Sequence, residues 1–151
     1  MIVADPLSRL PDPDYHAEFY RDVPMKRLIA WFIDTVLIAL VVLLIVPFTA
    51  FVALFFLPMV FLAVSFMYRW VTLTSGSATW GMRLMAIEFR RHDAARFDAL
   101  TAFLHTLGFT VSISMVIPQL ISIALMVTGA RAQGLSDMAL GTVALNRAAQ
   151  R

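Results

Sequence analysis

Asp34 is the residue whose setting most restricts the available chemistry. It ends the run Lys26-Arg-Leu-Ile-Ala-Trp-Phe-Ile-Asp34 and lies inside an otherwise apolar segment that continues to Val46. A carboxylate in hydrocarbon costs about 2.5–3.5 kcal/mol on insertion scales, so it must face protein or water. Two chemistries fit such a group. In low dielectric its pKa rises, and it can exchange protons or hold a cation near neutrality. Alternatively it is a partner for an arginine or for serine and threonine hydroxyls on a neighbouring helix. Its position nearer the end of the apolar segment than the middle favours the second.

Arg27 precedes Asp34 by seven positions, and seven steps of about 100° return to within roughly 20° of the same helix face. The two stack about two turns, or 10 Å, apart. An arginine at a helix end is an ordinary topology signal that snorkels to headgroups. On the same stripe as Asp34 it becomes a candidate ion-pair partner.

Further along, Thr106, Thr110 and Ser114 recur at intervals of four, with Gly108 and Ser112 nearby. That stripe suits close helix packing with interhelical hydrogen bonds, more than it suits the lining of a hydrated path. His105 beside it would relay protons only if it faced Asp34; a structural histidine is the commoner case.

Little else suggests catalysis. The chain has no cysteine, which excludes disulfides, thiolate metal sites and cysteine nucleophiles. His16, His92 and His105 are far apart, and no pair has ligand spacing. Gly76-Ser-Ala-Thr-Trp-Gly81 lacks the lysine and the spacing of a phosphate-binding loop, and its glycines read as turn formers. No enzyme activity, cofactor or metal is expected.

The elements that position these residues are membrane helices. Of 151 residues 60% are hydrophobic and 15% charged, far from the near-even apolar share and quarter charged of soluble domains. Residues 1–23 read as a polar extension with five acidic residues and Pro6, Pro11 and Pro13, unlike a secretory signal. Apolar spans are expected at 28–46 and 51–71, separated by a turn at Pro47–Ala50. The first, of 19 residues, is about 28 Å long as a helix, close to the roughly 30 Å of hydrocarbon. Tyr68, Arg69 and Trp70 read as the aromatic and basic boundary of the second span. Residues 72–98 read as a polar central loop, in which 84–89 forms a short strand or a helical turn. The third apolar segment, 99–129, is about 46 Å as a helix, too long for one simple span. It is expected to tilt, kink or split at Pro118. Residues 148–151 end a polar tail.

Four basic residues (Arg9, Arg21, Lys26, Arg27) precede the first span, none lies in the turn after it, and five follow the second. The positive-inside bias therefore places the N-terminus and the central loop in the cytoplasm of a bacterial-type cell, with the chain in its inner membrane. The arginines of the tail favour the same side. A net charge of +2, with no basic stripe, gives no support to a nucleic-acid partner. The expected partners are the bilayer and a second copy or another membrane protein.

Taken together, these motifs resemble the RDD family of small membrane proteins, named for one arginine and two aspartates. Arg27 and Asp34 match the first two. Asp137, within Gly134-Leu-Ser-Asp-Met-Ala-Leu-Gly-Thr-Val143, matches the third. Ser77-Ala-Thr-Trp-Gly-Met-Arg83 is similar to the family's loop motif, with Thr79, Gly81 and Arg83 at its defining positions. Two departures stand out: Ser136 where the family often has a histidine, and no charge between Asp98 and Arg131, where it often has an arginine. The resemblance implies an all-α membrane bundle of three hydrophobic segments and, for some members, proposed cation–proton antiport. Two functions stay open: a cation or proton transporter exchanging at Asp34, with Arg27 or Asp137 setting its pKa, and a non-transporting interaction or assembly module whose Arg and Asp residues are structural. The family tips the balance to the first, the residues alone to the second.

Overall fold

A computed structural model describes residues 8–150. Pro6 of the N-terminal extension and Arg151 of the tail lie outside the described residues. The chain is mostly helical, and two helices are long and apolar enough to cross a membrane. Helix α1 spans Val23–Phe48, with Pro24 in its first turn, where a missing N–H costs nothing. Its buried residues Ala30, Asp34, Ile38, Val42 and Val46 recur every four positions. They form one narrow stripe against protein, while Phe32, Leu40, Leu43 and Leu44 on the other faces are exposed to the bilayer. After a left-handed turn at Ala50 and Phe51 and a short 3₁₀ segment, α2 runs back over Leu57–Gly76. It continues past the expected end at Val71, so Arg69 lies seven residues inside the helix instead of at its boundary.

A short helix, α3 (Trp80–Leu84), and a strand, β1 (Ile87–Arg90), then build a cap over the α1–α2 pair. The third apolar segment is split into α4 (Ala99–Ser114) and α5 (Val116–Thr128), bent by 116°. The break falls at Met115, three residues before Pro118. Proline is tolerated in a helix's first turn, but its ring clashes with the carbonyl four residues earlier, here Ser114, where α4 stops. Ser112 Oγ donates to Gln119 Oε1 across the break at 3.0 Å. At about 24 Å and 20 Å, neither half is as long as the hydrocarbon is thick.

Because α5 folds back, the tail returns to the face where α1 begins and α2 ends. Helix α6 (Leu135–Leu140) packs on α4, and strand β2 (Val143–Asn146) pairs antiparallel with β1, Ile87 opposite Asn146. Lys26 Nζ donates to Asn146 Oδ1 at 2.7 Å. The described part of the N-terminal extension is not free: Leu10 and Tyr20 pack on Val143 and Leu145, and Arg9 N donates to His92 O at 2.9 Å. The N-terminal segment, the central loop and the tail therefore form one cap on one side of the apolar helices.

Glu88, in β1, is nearly enclosed and is shared by Arg90, by Arg147 at 3.1 Å and by Arg96 at 3.8 Å. Burial by itself would raise its pKa, but the Arg90 hydrogen bond and the three guanidinium charges outweigh it and hold the carboxyl below 4.5. A carboxyl whose folded pKa is depressed contributes stability above its unfolded value and loses it as pH falls through the folded value. The β1–β2 pair is thus expected to keep its protection at pH 5 and loosen only below the ordinary carboxylate range. Amide hydrogen exchange against pH should show this, and Glu88→Gln should make the strand's protection low and flat across the same range.

Candidate functional site

Asp34 is 1% exposed and faces the cap. Thr79 Oγ1 donates to its Oδ2 at 2.6 Å. Tyr68 Oη donates to Oδ1 at 2.6 Å, and Gly81 N to the same oxygen at 2.8 Å. One carboxylate on α1 thereby fastens α2 through Tyr68 and α3 through Thr79 and Gly81. Thr79 has a second task as the N-cap of α3, accepting from Met82 N at 3.2 Å. Its hydroxyl proton goes to Asp34 and its lone pair to the helix.

Gly81 is required by space, not by backbone conformation. A Cβ built there would stand 2.2 Å from Ala30 O and 2.8 Å from Asp34 Oδ1. Only a residue without a side chain lets α3 lie directly on the α1 backbone. Arg83 closes the loop on itself: Nε donates to Ala78 O at 3.2 Å and Nη2 to Ser75 Oγ at 3.3 Å, with the guanidinium over the Trp80 ring.

Arg27 and Asp34 do not pair, although they share a stripe, because two turns of helix separate them and each meets a different element. Arg27 Nη1 donates to Asp137 Oδ2 at 2.5 Å and to Ala132 O at 3.2 Å. Asp137 is completely buried. It also meets His105 Nε2 at 2.7 Å and accepts from Gly134 N at 2.9 Å and Thr142 Oγ1 at 3.3 Å. Burial would raise its pKa, yet Arg27 and His105 together hold it far below the usual value. This carboxylate is ionised throughout the physiological range. It gathers α1, α4 and the α6 turn around one point.

The family motif thus makes two latches. Asp34 ties the central loop to the first helix, and Arg27–Asp137 ties the tail to the same helix two turns nearer its N-terminus. His105 belongs to the second latch and does not face Asp34. Of the polar residues of α4, Ser112 makes the expected interhelical bond, to Gln119 of α5, but Thr110 and Ser114 do not. Thr110 Oγ1 and Ser114 Oγ donate to the carbonyls four residues back, at 2.8 and 2.7 Å, as hydroxyls in helices commonly do. Gly108 instead gives room to Ser136 of α6, whose Oγ would lie 2.9 Å from an added Cβ.

Sequence reasoning missed Tyr68 as an Asp34 donor and Arg69 as a residue of the interior. The signal for both was present: Tyr68 and Arg69 precede the end of α2 by two turns. Among the described residues no group of three His, Cys, Asp or Glu side chains could hold a metal.

These features define a helical membrane protein whose extramembrane cap is latched to apolar helices through buried carboxylates. The chain belongs to the RDD family, whose model matches residues 22–141. No curated protein and no solved structure matches it.

Proposed function

We propose that this RDD protein is a non-enzymatic membrane module of a bacterial inner membrane, in which the arginine and both aspartates hold a cytoplasmic cap in place, and that Asp34 exchanges neither protons nor cations. The observation that carries this reading is the saturation of Asp34. Three donors occupy its oxygens, out of about four acceptor positions on a carboxylate. An exchanging site needs an acceptor that opens and closes, whereas each of these donors belongs to an element that the carboxylate itself anchors. The basic residues Arg83, Arg90, Arg91 and Arg96 in the cap support the cytoplasmic side. An ordered cap on short apolar helices suits association with a second copy or another membrane protein.

The test is ion flux. Purified protein in liposomes carrying a pH or sodium gradient is expected to dissipate it no faster than empty liposomes. Asp34→Asn is expected to lower the melting temperature, because the carboxamide turns one acceptor into a donor facing Thr79 or Tyr68. Protein-dependent flux that disappears in a normally stable Asp34→Asn protein would establish exchange at this residue.

A further inference from the structure

Arg69 and Thr106 belong to neither latch, and both carry a polar atom without a partner. Arg69 Nε and Thr106 Oγ1 are buried and unbonded, and Thr106 is 0% exposed. Among the described residues no carboxylate forms an ion pair with Arg69, since the oxygens of Asp34 are directed to Thr79, Tyr68 and Gly81. What Arg69 does touch is the face of Phe109, 4.0 Å from the ring centroid. Buried polar groups are nearly always bonded, and an unbonded one calls for a reason such as an absent ligand.

Space for a ligand exists at this point. A cavity of about 440 Å³ between α1, α4 and α5 is lined by both Arg69 and Thr106. A second, of about 270 Å³, is also lined by Arg69 and shares Trp31, Phe109 and Ile113 with the first. The walls are otherwise mainly apolar; Asp34 and Asp137 also line the larger cavity, with their oxygens taken up by the donors of the two latches. Leu28, Ile123 and Val127 line the larger cavity and are also exposed on the bilayer-facing surface of α1 and α5, so its rim meets the lipid. Trp31 lines both cavities with Arg69 and supplies an amphipathic ring beside the guanidinium.

We propose that this cavity is a binding site for an anionic phospholipid, its phosphate oxygen accepting from Arg69 and Thr106 and an acyl chain lying along the apolar wall. The charge argument selects the head: a guanidinium with an unmade hydrogen bond favours an oxyanion over a zwitterion whose phosphate already has an internal counter-charge. The apolar rim selects a lipid over a free anion. Arg27 lines the cavity too, but Asp137 already occupies it.

The experiment uses the full chain in a neutral detergent, titrated with phosphatidylglycerol, with phosphatidylcholine of the same acyl chains, and with inorganic phosphate. Phosphatidylglycerol at saturating excess is expected to raise the melting temperature by roughly 5 °C or more, the other two by much less. Thr106→Val keeps the shape and removes only an unpaired hydroxyl, so its melting temperature without lipid should be unchanged or higher, while the phosphatidylglycerol shift falls. Arg69→Gln should abolish the lipid preference; if that variant does not fold, Thr106→Val together with native mass spectrometry of retained lipid decides the matter. Equal shifts from the two lipids, an equal shift from inorganic phosphate, or a phosphatidylglycerol shift unaffected by Thr106→Val would each overturn the proposal.

Discussion

Asp137→Ala is expected to cost about 3–5 kcal/mol, the range for removing one member of a buried ion pair in soluble proteins. The mutation strands Arg27 of α1, deprives His105 of α4 of its partner and frees the N–H of Gly134 in the tail. For a chain of this length the melting temperature should drop by roughly 10 °C. The loss should be local in its first consequence. Helix α6 is held to α1 and α4 largely around Asp137, while β2 keeps its own pairing with β1, so limited proteolysis should cut between residues 130 and 142 before it reaches the long helices. Asp137→Asn keeps the shape, and should recover part of the packing but not the charge compensation of Arg27. If Asp137→Ala melted like the unchanged protein with its tail still protected, the second latch would have no energetic weight.

Gly81→Ala should be nearly as damaging for a different reason. The added methyl would meet the Ala30 carbonyl, which is backbone of α1 and cannot turn away, and would press on Asp34 Oδ1. Relief requires α3 to lift from α1, which also breaks the Gly81 N–H and Thr79 bonds to Asp34. Overpacking of this kind costs on the order of 3 kcal/mol. Gly76→Ala, five residues earlier, is the control. Its Cβ would meet only the far end of the Arg83 side chain, which can swing aside, so its cost should stay below about 1 kcal/mol. Detergent melting curves of the two variants should differ clearly, and equal values would mean that the close contact of α3 with α1 is not what Gly81 provides.

The helical membrane class was legible because hydropathy over nineteen or more residues outweighs local detail, as in α1. The motif residues were legible too, because a charge inside an apolar run stands out. What each would touch was not. Arg27 and Asp34 share a helix face, and spacing alone pairs them, yet their partners come from residues 68–81 and 132–137. Such long-range partners leave no periodic trace. Proline is the visible breaker of the third segment and points to Pro118, but its constraint acts on the turn before it, and the break falls at Met115. Hydropathy ends the second span at Val71 and makes Arg69 look like a boundary residue, because the polar last turn of α2, Thr72–Gly76, carries little apolar signal of the helix's continuation. The β1–β2 pair is half visible, since residues 84–89 read equally as a short strand or a helical turn, and the partner that decides for a strand at Ile87–Arg90 begins 53 residues beyond Arg90.

If Asp34 is a latch, its energy resides in its bonds to the cap, and a double-mutant cycle measures this directly. Unfolding free energies would be determined in one detergent for the unchanged protein, Asp34→Asn, Thr79→Val and the double variant. A hydrogen bond to a buried charge contributes about 1.5–3 kcal/mol, so a coupling of that size between positions 34 and 79 is expected, with the double variant much less destabilised than the sum of the two. Additive effects, within about 0.5 kcal/mol, would contradict the claim and leave Asp34 a residue placed beside the cap without holding it.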